Sequence, residues 1–95
     1  MNIYISGPMQ GVDNYREKFE RAKRIIEKGG HRVINPAAID LYGLTKEQML
    51  SVDLLLLSLC DTIYMLKDWE QSCGANREYG YALAKGMDIM FERDE

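Results

Sequence analysis

Asp53 stands inside an apolar run, with Val52 before it and Leu54 to Leu57 after it. If the run is helical, Asp53 shares its face with Met49, Leu56, Leu57 and Cys60, all apolar. A carboxylate in such a stripe loses hydration, and its pKa rises toward that of a group able to deliver a proton near neutral pH. The other reading is a helix carboxylate that reaches the protein edge or bonds a neighbouring loop, and position leaves both open. Glu78 is the second candidate. It falls within two turns of a helix opening at Ser72, on a face shared with Ala75 and Ala82. Small side chains let a helix lie close to a sheet, which would direct the carboxylate along the sheet edge. A glutamate in the N-terminal half of a helix is also favoured by the helix dipole alone.

Two segments could hold an anion. Ser72-Cys73-Gly74-Ala75 combines the free amides of a helix start, a hydroxyl and a glycine that allows close approach. Ordinary N-capping accounts for Ser72 equally well. Ser6-Gly7-Pro8-Met9-Gln10-Gly11 matches neither a P-loop nor GxGxxG, so it either cradles a phosphate or makes a turn. Tyr4 could hydrogen-bond a carboxylate across a cleft or fill a core. Trp69 could stack on a base or cover a core edge, and Asp61 could end a helix or fix a turn. His31, after Gly29-Gly30, reads as a solvated strand-edge residue.

The elements that must position these residues alternate along the chain. Asn2 to Ser6 predicts a strand stopped by Gly7-Pro8. A helix follows from about Asn14 to Lys28, with Asp13 as N-cap, Tyr15, Phe19, Ala22 and Ile26 as its apolar stripe, and Gly29-Gly30 as its end. His31 to Asn35 is the second strand, ended by Pro36, and Pro36 to Gly43 is irregular with a helical turn. Thr45 and Gln48 fit a capping box opening a helix to about Cys60. Thr62 to Leu66 is a strand, Lys67 to Gln71 a loop, Ser72 to about Lys85-Gly86 a helix, and Asp88 to Phe91 the last strand before a charged tail.

Strand and helix in alternation imply right-handed crossovers and a parallel sheet covered on both faces. The expected fold is α/β, a small Rossmann-like or flavodoxin-like three-layer sandwich with a four-stranded, at most five-stranded, sheet. Ligands in such sheets bind outside the carboxyl ends of the strands. The loop after strand one, the segment after Pro36 and the Lys67–Ser72 loop should therefore meet at one edge.

The sequence of 95 residues, 46% apolar and 28% charged, predicts one globular domain over 1–95. Twelve basic against fifteen acidic residues give a net charge of -3, with no footprint for duplex nucleic acid or an anionic membrane surface. The N-terminus lacks the pattern of a signal peptide, and the apolar runs are far shorter than a bilayer span. Two cysteines and one histidine make neither a disulfide framework nor a zinc site, so the expectation is a cytoplasmic, reduced, metal-free protein without a cofactor.

Four segments together form a family pattern: Tyr4-Ile5-Ser6-Gly7-Pro8-Met9 with Gly11; Asn35-Pro36-Ala37; Asp53 with Asp61; and the stretch from Ser72 to Gly86 containing Glu78-Tyr79-Gly80-Tyr81-Ala82. On these residues the chain resembles the nucleoside 2-deoxyribosyltransferase superfamily. It is similar to the 2'-deoxynucleoside 5'-monophosphate N-glycosidases and to short, phage-type members. The resemblance implies cleavage or exchange at an N-glycosidic bond of a nucleoside or nucleotide, with Glu78 as nucleophile, Asp53 handling the proton of the leaving base, and Tyr4 positioning Glu78. It further implies that Ser72, Gly74 and the loop Ser6, Gly7, Pro8, Met9, Gln10 and Gly11 touch the substrate. Ser72 matches a position that is serine in the monophosphate hydrolases and aspartate in the transferases, and a serine suits a 5'-phosphate that a carboxylate would repel. Three departures stand out. Gln10 occupies the place of a loop arginine in the monophosphate hydrolases, Asn76 and Arg77 replace smaller residues and should narrow the pocket, and the family's C-terminal segment has no counterpart here. Gln10 and the C-terminal departure motivate an alternative, a non-catalytic protein that sequesters or senses a nucleotide.

Assembly follows from the second helix. Val52, Leu54 to Leu57 and Leu59 place apolar side chains on every side of it, and a sheet this small covers one side only. The expectation is a homodimer or higher homo-oligomer that buries the rest.

Overall fold

A computed structural model of the chain describes residues 1–39 and 43–93. Its elements run β1 (Asn2–Ser6), α1 (Tyr15–Lys28), β2 (Arg32–Ile34), α2 (Lys46–Ser58), β3 (Thr62–Met65), α3 (Cys73–Lys85) and β4 (Asp88–Phe91). Two 3₁₀ turns, Pro36–Ala38 and Trp69–Gln71, fill the connections after β2 and β3. The four strands form one parallel sheet in the order β2-β1-β3-β4. Residues 40–42 of the irregular segment and 94–95 of the tail lie outside the described residues.

Side-chain alternation along the strands divides the core in two. Ile3 and Ile5 of β1 and Tyr64 of β3 face α1, where Phe19, Ala22 and Ile26 meet them. Tyr4, Ile63 and Met65 face the other way, onto Leu57 of α2 and Ala75 and Ala82 of α3. The result is the expected three-layer α/β sandwich. The strand order reverses at β1: β2 lies on one side of it, and β3 and β4 on the other. That reversal leaves a crevice at the carboxyl ends of β1 and β3, the usual ligand position in such folds.

Local signals act mostly as expected, with two differences. The Thr45 hydroxyl accepts from the Gln48 amide at 3.1 Å and the Gln48 side chain accepts from the Thr45 amide at 2.9 Å, a complete capping box. The N-cap of α1 is Asn14, not Asp13, and its side chain makes no capping bond. Turn bonds from Val12 to Met9 and from Tyr15 to Val12 lead the chain into this helix, so burial of its stripe sets the start rather than a cap. Helix α2 ends at Ser58, before Cys60, where the amides of Leu59 and Cys60 turn back onto the carbonyls of Leu56 and Leu57. Asp61 then fixes the entry to β3: its carboxylate accepts from the Thr62 hydroxyl and the Asn2 amide, beside the backbone bond from Asp61 to Asn2.

Helix α2 is thinly covered, with Leu57 its one buried residue. Leu57 is fully buried, whereas Leu55 and Leu59 are 63% and 64% exposed. Trp69 packs on Tyr79 with ring centroids 4.6 Å apart and lies 6.4 Å from Phe91, covering the end of the β3–β4 edge. No helix among the described residues is long and apolar enough to cross a membrane.

Candidate active site

Tyr4 and Ser6 sit two residues apart on β1, so both side chains leave the same face of the sheet. Opposite them, Ala75 and Ala82 let α3 lie close to the sheet, and Glu78 comes between them on the same helix face. The Tyr4 hydroxyl donates to Glu78 Oε2 at 2.5 Å, and the Ser6 hydroxyl donates to Oε1 at 2.6 Å. Both carboxylate oxygens are thus held by short, charge-assisted bonds, which fix the carboxyl plane. Glu78 is only 6% exposed. Burial raises its pKa to about 7 against the opposing effect of the two hydroxyl bonds, with the Asp53 charge adding to the rise. Tyr4 is held well above the ordinary phenol range, by burial first and then by the Glu78 and Asp53 charges, so it remains a donor.

Asp53 arrives from α2. Burial lifts its carboxyl to about 6, and its buried Oδ1 has no hydrogen-bond partner among the described residues. A buried acceptor left unmatched costs stability, which a ligand donor or a bound proton would recover. The two carboxyls therefore titrate in the range where one can be ionised while the other carries a proton.

Both open onto one cleft of about 410 Å³. Gly7, Pro8, Met9 and Gln10 line it from the first loop, and Ser72 and Gly74 from the start of α3. Two glycines favour this closeness, Gly7 the more strictly. A β-carbon at Gly7 would stand 2.8 Å from the Leu66 β-carbon, and one at Gly74 would stand 3.1 Å from a Leu50 methyl. The Ser72 hydroxyl accepts from the Ala75 amide at 3.2 Å, and its own proton has no acceptor among the described residues. A second, larger groove of about 940 Å³ adjoins the cleft and shares Met9, Pro36, Met49 and Asp53 with it. Asp53 thus stands where the two cavities join.

Of the residues expected at a site, Tyr4 and Ser6 are buried behind Glu78 rather than on the cleft wall, and Gly11 also lies outside the wall. The Ser6 hydroxyl is committed to Glu78, where a substrate contact was expected. Asn76 and Arg77 do not narrow the cleft. Asn76 bonds the carbonyls of Glu70 and Ser72, and Arg77 reaches Glu47 at 3.7 Å. Trp69 belongs to the aromatic cluster and not to the cleft wall. Lys46, Met49, Leu50 and Gln71 line the cleft without having been singled out. A signal for Lys46 was present: in a parallel α/β sheet the crossover helices begin at the carboxyl edge, and Thr45 marks that beginning. Among the described residues, no group of three or more His, Cys, Asp or Glu is placed to hold a metal ion.

Fold and site define a small α/β protein with a parallel sheet and a clamped, buried carboxylate at its topological switch point. The chain belongs to the family described as a domain of unknown function, DUF4406, which matches residues 1–91. No curated protein matches it. The fold is shared with two solved deoxyribosyltransferase structures. It is similar to the 2-deoxyribosyltransferase from Bacillus psychrosaccharolyticus at a TM-score of 0.74 and 18% identity, over 100% of this chain and 77% of that one. It is similar to the 2-desoxiribosyltransferase from Leishmania mexicana at a TM-score of 0.73 and 22% identity, over 95% of this chain and 62% of that one.

Proposed function

We propose that the protein cleaves the N-glycosidic bond of a nucleoside or nucleotide, with Glu78 as nucleophile and Asp53 as proton donor to the leaving base. The observation that carries this reading is the clamp on Glu78: a nearly buried carboxylate, aimed by Tyr4 and Ser6, beside a second carboxyl with an unmatched oxygen. Such an arrangement costs stability, which supports reading it as a reactive site. The shared fold of the two 2-deoxyribosyltransferases supports it.

Ionised Glu78 attacks C1' of the sugar as the bond to the base nitrogen breaks, through an oxocarbenium-like transition state. The electron pair of that bond stays on the base, which takes its proton from Asp53. A glycosyl ester on Glu78 remains. Water then attacks C1' and gives the free sugar, or a second base attacks and gives a new nucleoside; the carboxylate of Asp53 accepts the proton released in either case. The Tyr4 and Ser6 hydroxyls hold the plane of Glu78 so that one oxygen lone pair meets C1'.

Incubation with a panel of nucleosides and their 5'-monophosphates, with free base read by chromatography, tests the reading. Base release from at least one is expected, and a second base added in excess separates transfer from hydrolysis. Stoichiometric binding without release at high protein concentration would establish the sequestering alternative instead.

Assembly belongs to the same proposal. The exposed Leu55 and Leu59 of α2 form the apolar surface of a twofold contact, and Asp53 rides on the same helix. Leu55→Lys is expected to give a less stable, inactive monomer by light scattering. A monodisperse monomer for the unmodified protein at micromolar concentration would refute the dimer.

A further inference from the structure

The two faces of the sheet are unequally covered. Helices α2 and α3 share one face, and α1 lies alone on the other. Met90 of β4 pairs in register with Tyr64 of β3, so its side chain leaves the face that α1 covers only in part. Met90 is 41% exposed, and Ile25, on the flank of α1, is 49% exposed. Between them runs a groove of about 480 Å³ with Tyr64 and Leu66 in its floor. A three-layer sandwich ordinarily fills such a place with a second helix packed beside the first.

Charge marks the same groove. In a chain of net charge -3, its wall carries Lys18, Arg21, Lys67 and Arg93 against Asp68 and Glu92. Glu92 already accepts from the Lys67 amide at 2.9 Å. Lys18, Arg21 and Arg93 form no ion pair among the described residues, whereas Lys23 on another side of α1 pairs with Glu20 and Glu27. The spacing of Lys18, Arg21 and Ile25 puts all three on one flank of α1. A second copy of the chain docked through the same groove would set these cations against one another. Phe91 turns instead to Trp69 and Tyr79, so the exposed apolar groups Ile25 and Met90 are aliphatic and offer bases no face to stack on.

We infer that this groove docks an acidic amphipathic helix of a partner protein, its apolar stripe on Ile25 and Met90 and its carboxylates on Lys18, Arg21 and Arg93. The partner helix takes the open place beside α1, in the helix-in-groove manner. Glu78 lies on the opposite face of the sheet, so this surface is independent of the reaction proposed above.

The test is titration of the full, isotope-labelled chain with a synthetic helical peptide of about 18 residues, with leucines in one helical stripe and glutamates elsewhere. NMR shifts locate the contact, and fluorescence anisotropy of the labelled peptide gives its affinity. Saturable binding is expected, with shifts gathered at Lys18, Arg21, Ile25, Met90 and Arg93 and none at Leu55 and Leu59 of α2. A peptide of the same composition with the stripe scrambled should bind about tenfold more weakly, and one with lysine in place of glutamate should not bind. Lys18→Glu combined with Arg21→Glu should weaken the glutamate peptide about tenfold or more at low salt and create binding of the lysine peptide. Lys85→Glu, which reverses a cation of α3 on the other face of the sheet, should change neither affinity. Absence of saturable binding, equal binding of the scrambled peptide, or shifts centred on α2 would overturn the proposal. Tighter binding of oligothymidylate than of the glutamate peptide would also overturn it, in favour of single-stranded nucleic acid. Concentration-dependent shifts at the groove residues without peptide would overturn it in favour of a second copy. Should the double variant fold poorly, the shift map and the scrambled peptide on the unmodified protein decide the matter.

Discussion

Glu78→Gln is expected to lower base release by roughly 10⁴-fold or more, because glutamine cannot form the glycosyl ester. Ligand affinity should stay within a few-fold, since the amide is isosteric and polar. Both clamping contacts can persist: one hydroxyl donates to the amide oxygen, and the other rotates to accept from the amide nitrogen. The same change should raise stability above neutral pH. Glu78 titrates at about 7 in the folded protein against an ordinary value of 4.5. Between those values the folded state binds more protons than the unfolded one, so stability falls as pH rises through that window and stays low above it. Glutamine has no such ionisation, and the variant should gain on the order of 2 kcal/mol at pH of about 8 while matching the parent near pH of about 4. Thermal melts at both pH values, run beside the chromatographic assay, read the two effects. Retained activity would refute the nucleophile, and a lower melting temperature at every pH would make Glu78 a structural residue.

Asp53→Asn should cost roughly 10²- to 10⁴-fold in base release, the usual contribution of a positioned acid. Its pH profile is the more discriminating result. With Asp53 at about 6 and Glu78 at about 7, the pair carries one shared proton between those values. The parent kcat/KM should therefore be bell-shaped, with limbs near about 6 and about 7, because both the doubly protonated and the fully ionised pair are inactive. In Asp53→Asn only Glu78 titrates. The alkaline limb should vanish, leaving a rate that rises with pH to a plateau. The rising limb then reports Glu78 alone, so it should shift from near about 6 in the parent to about 7 or just below, the Asp53 charge that adds to the Glu78 rise being gone. A variant that keeps the bell would show that another group supplies the proton.

The split between these expectations and the rest of the molecule follows interaction range. Capping at Thr45 and Ser72, the stripe Phe19–Ala22–Ile26 and the alternation of strands with helices are set within a few residues, and each was legible in the chain. So was the anomaly of Asp53, because an apolar helical face predicts the loss of hydration that lifts its pKa. From periodicity alone Glu78 was no more than a glutamate near a helix start; only the family pattern around it implied a role. Its environment was decided by pairing across more than seventy residues, when the register of β1 set Tyr4 and Ser6 against α3. Ser6 shows the difference most plainly. The family resemblance implied a substrate contact for it, and only the closeness of helix to sheet turned its hydroxyl onto Glu78. Lys46 is the converse, an ordinary residue after a cap until the tertiary structure sets it on the cleft wall. Local propensity and periodicity act along the chain and are written in it. Which charge meets which hydroxyl depends on where distant backbones come to rest, and in this protein that was settled by the sheet order and the small residues that let α3 approach it.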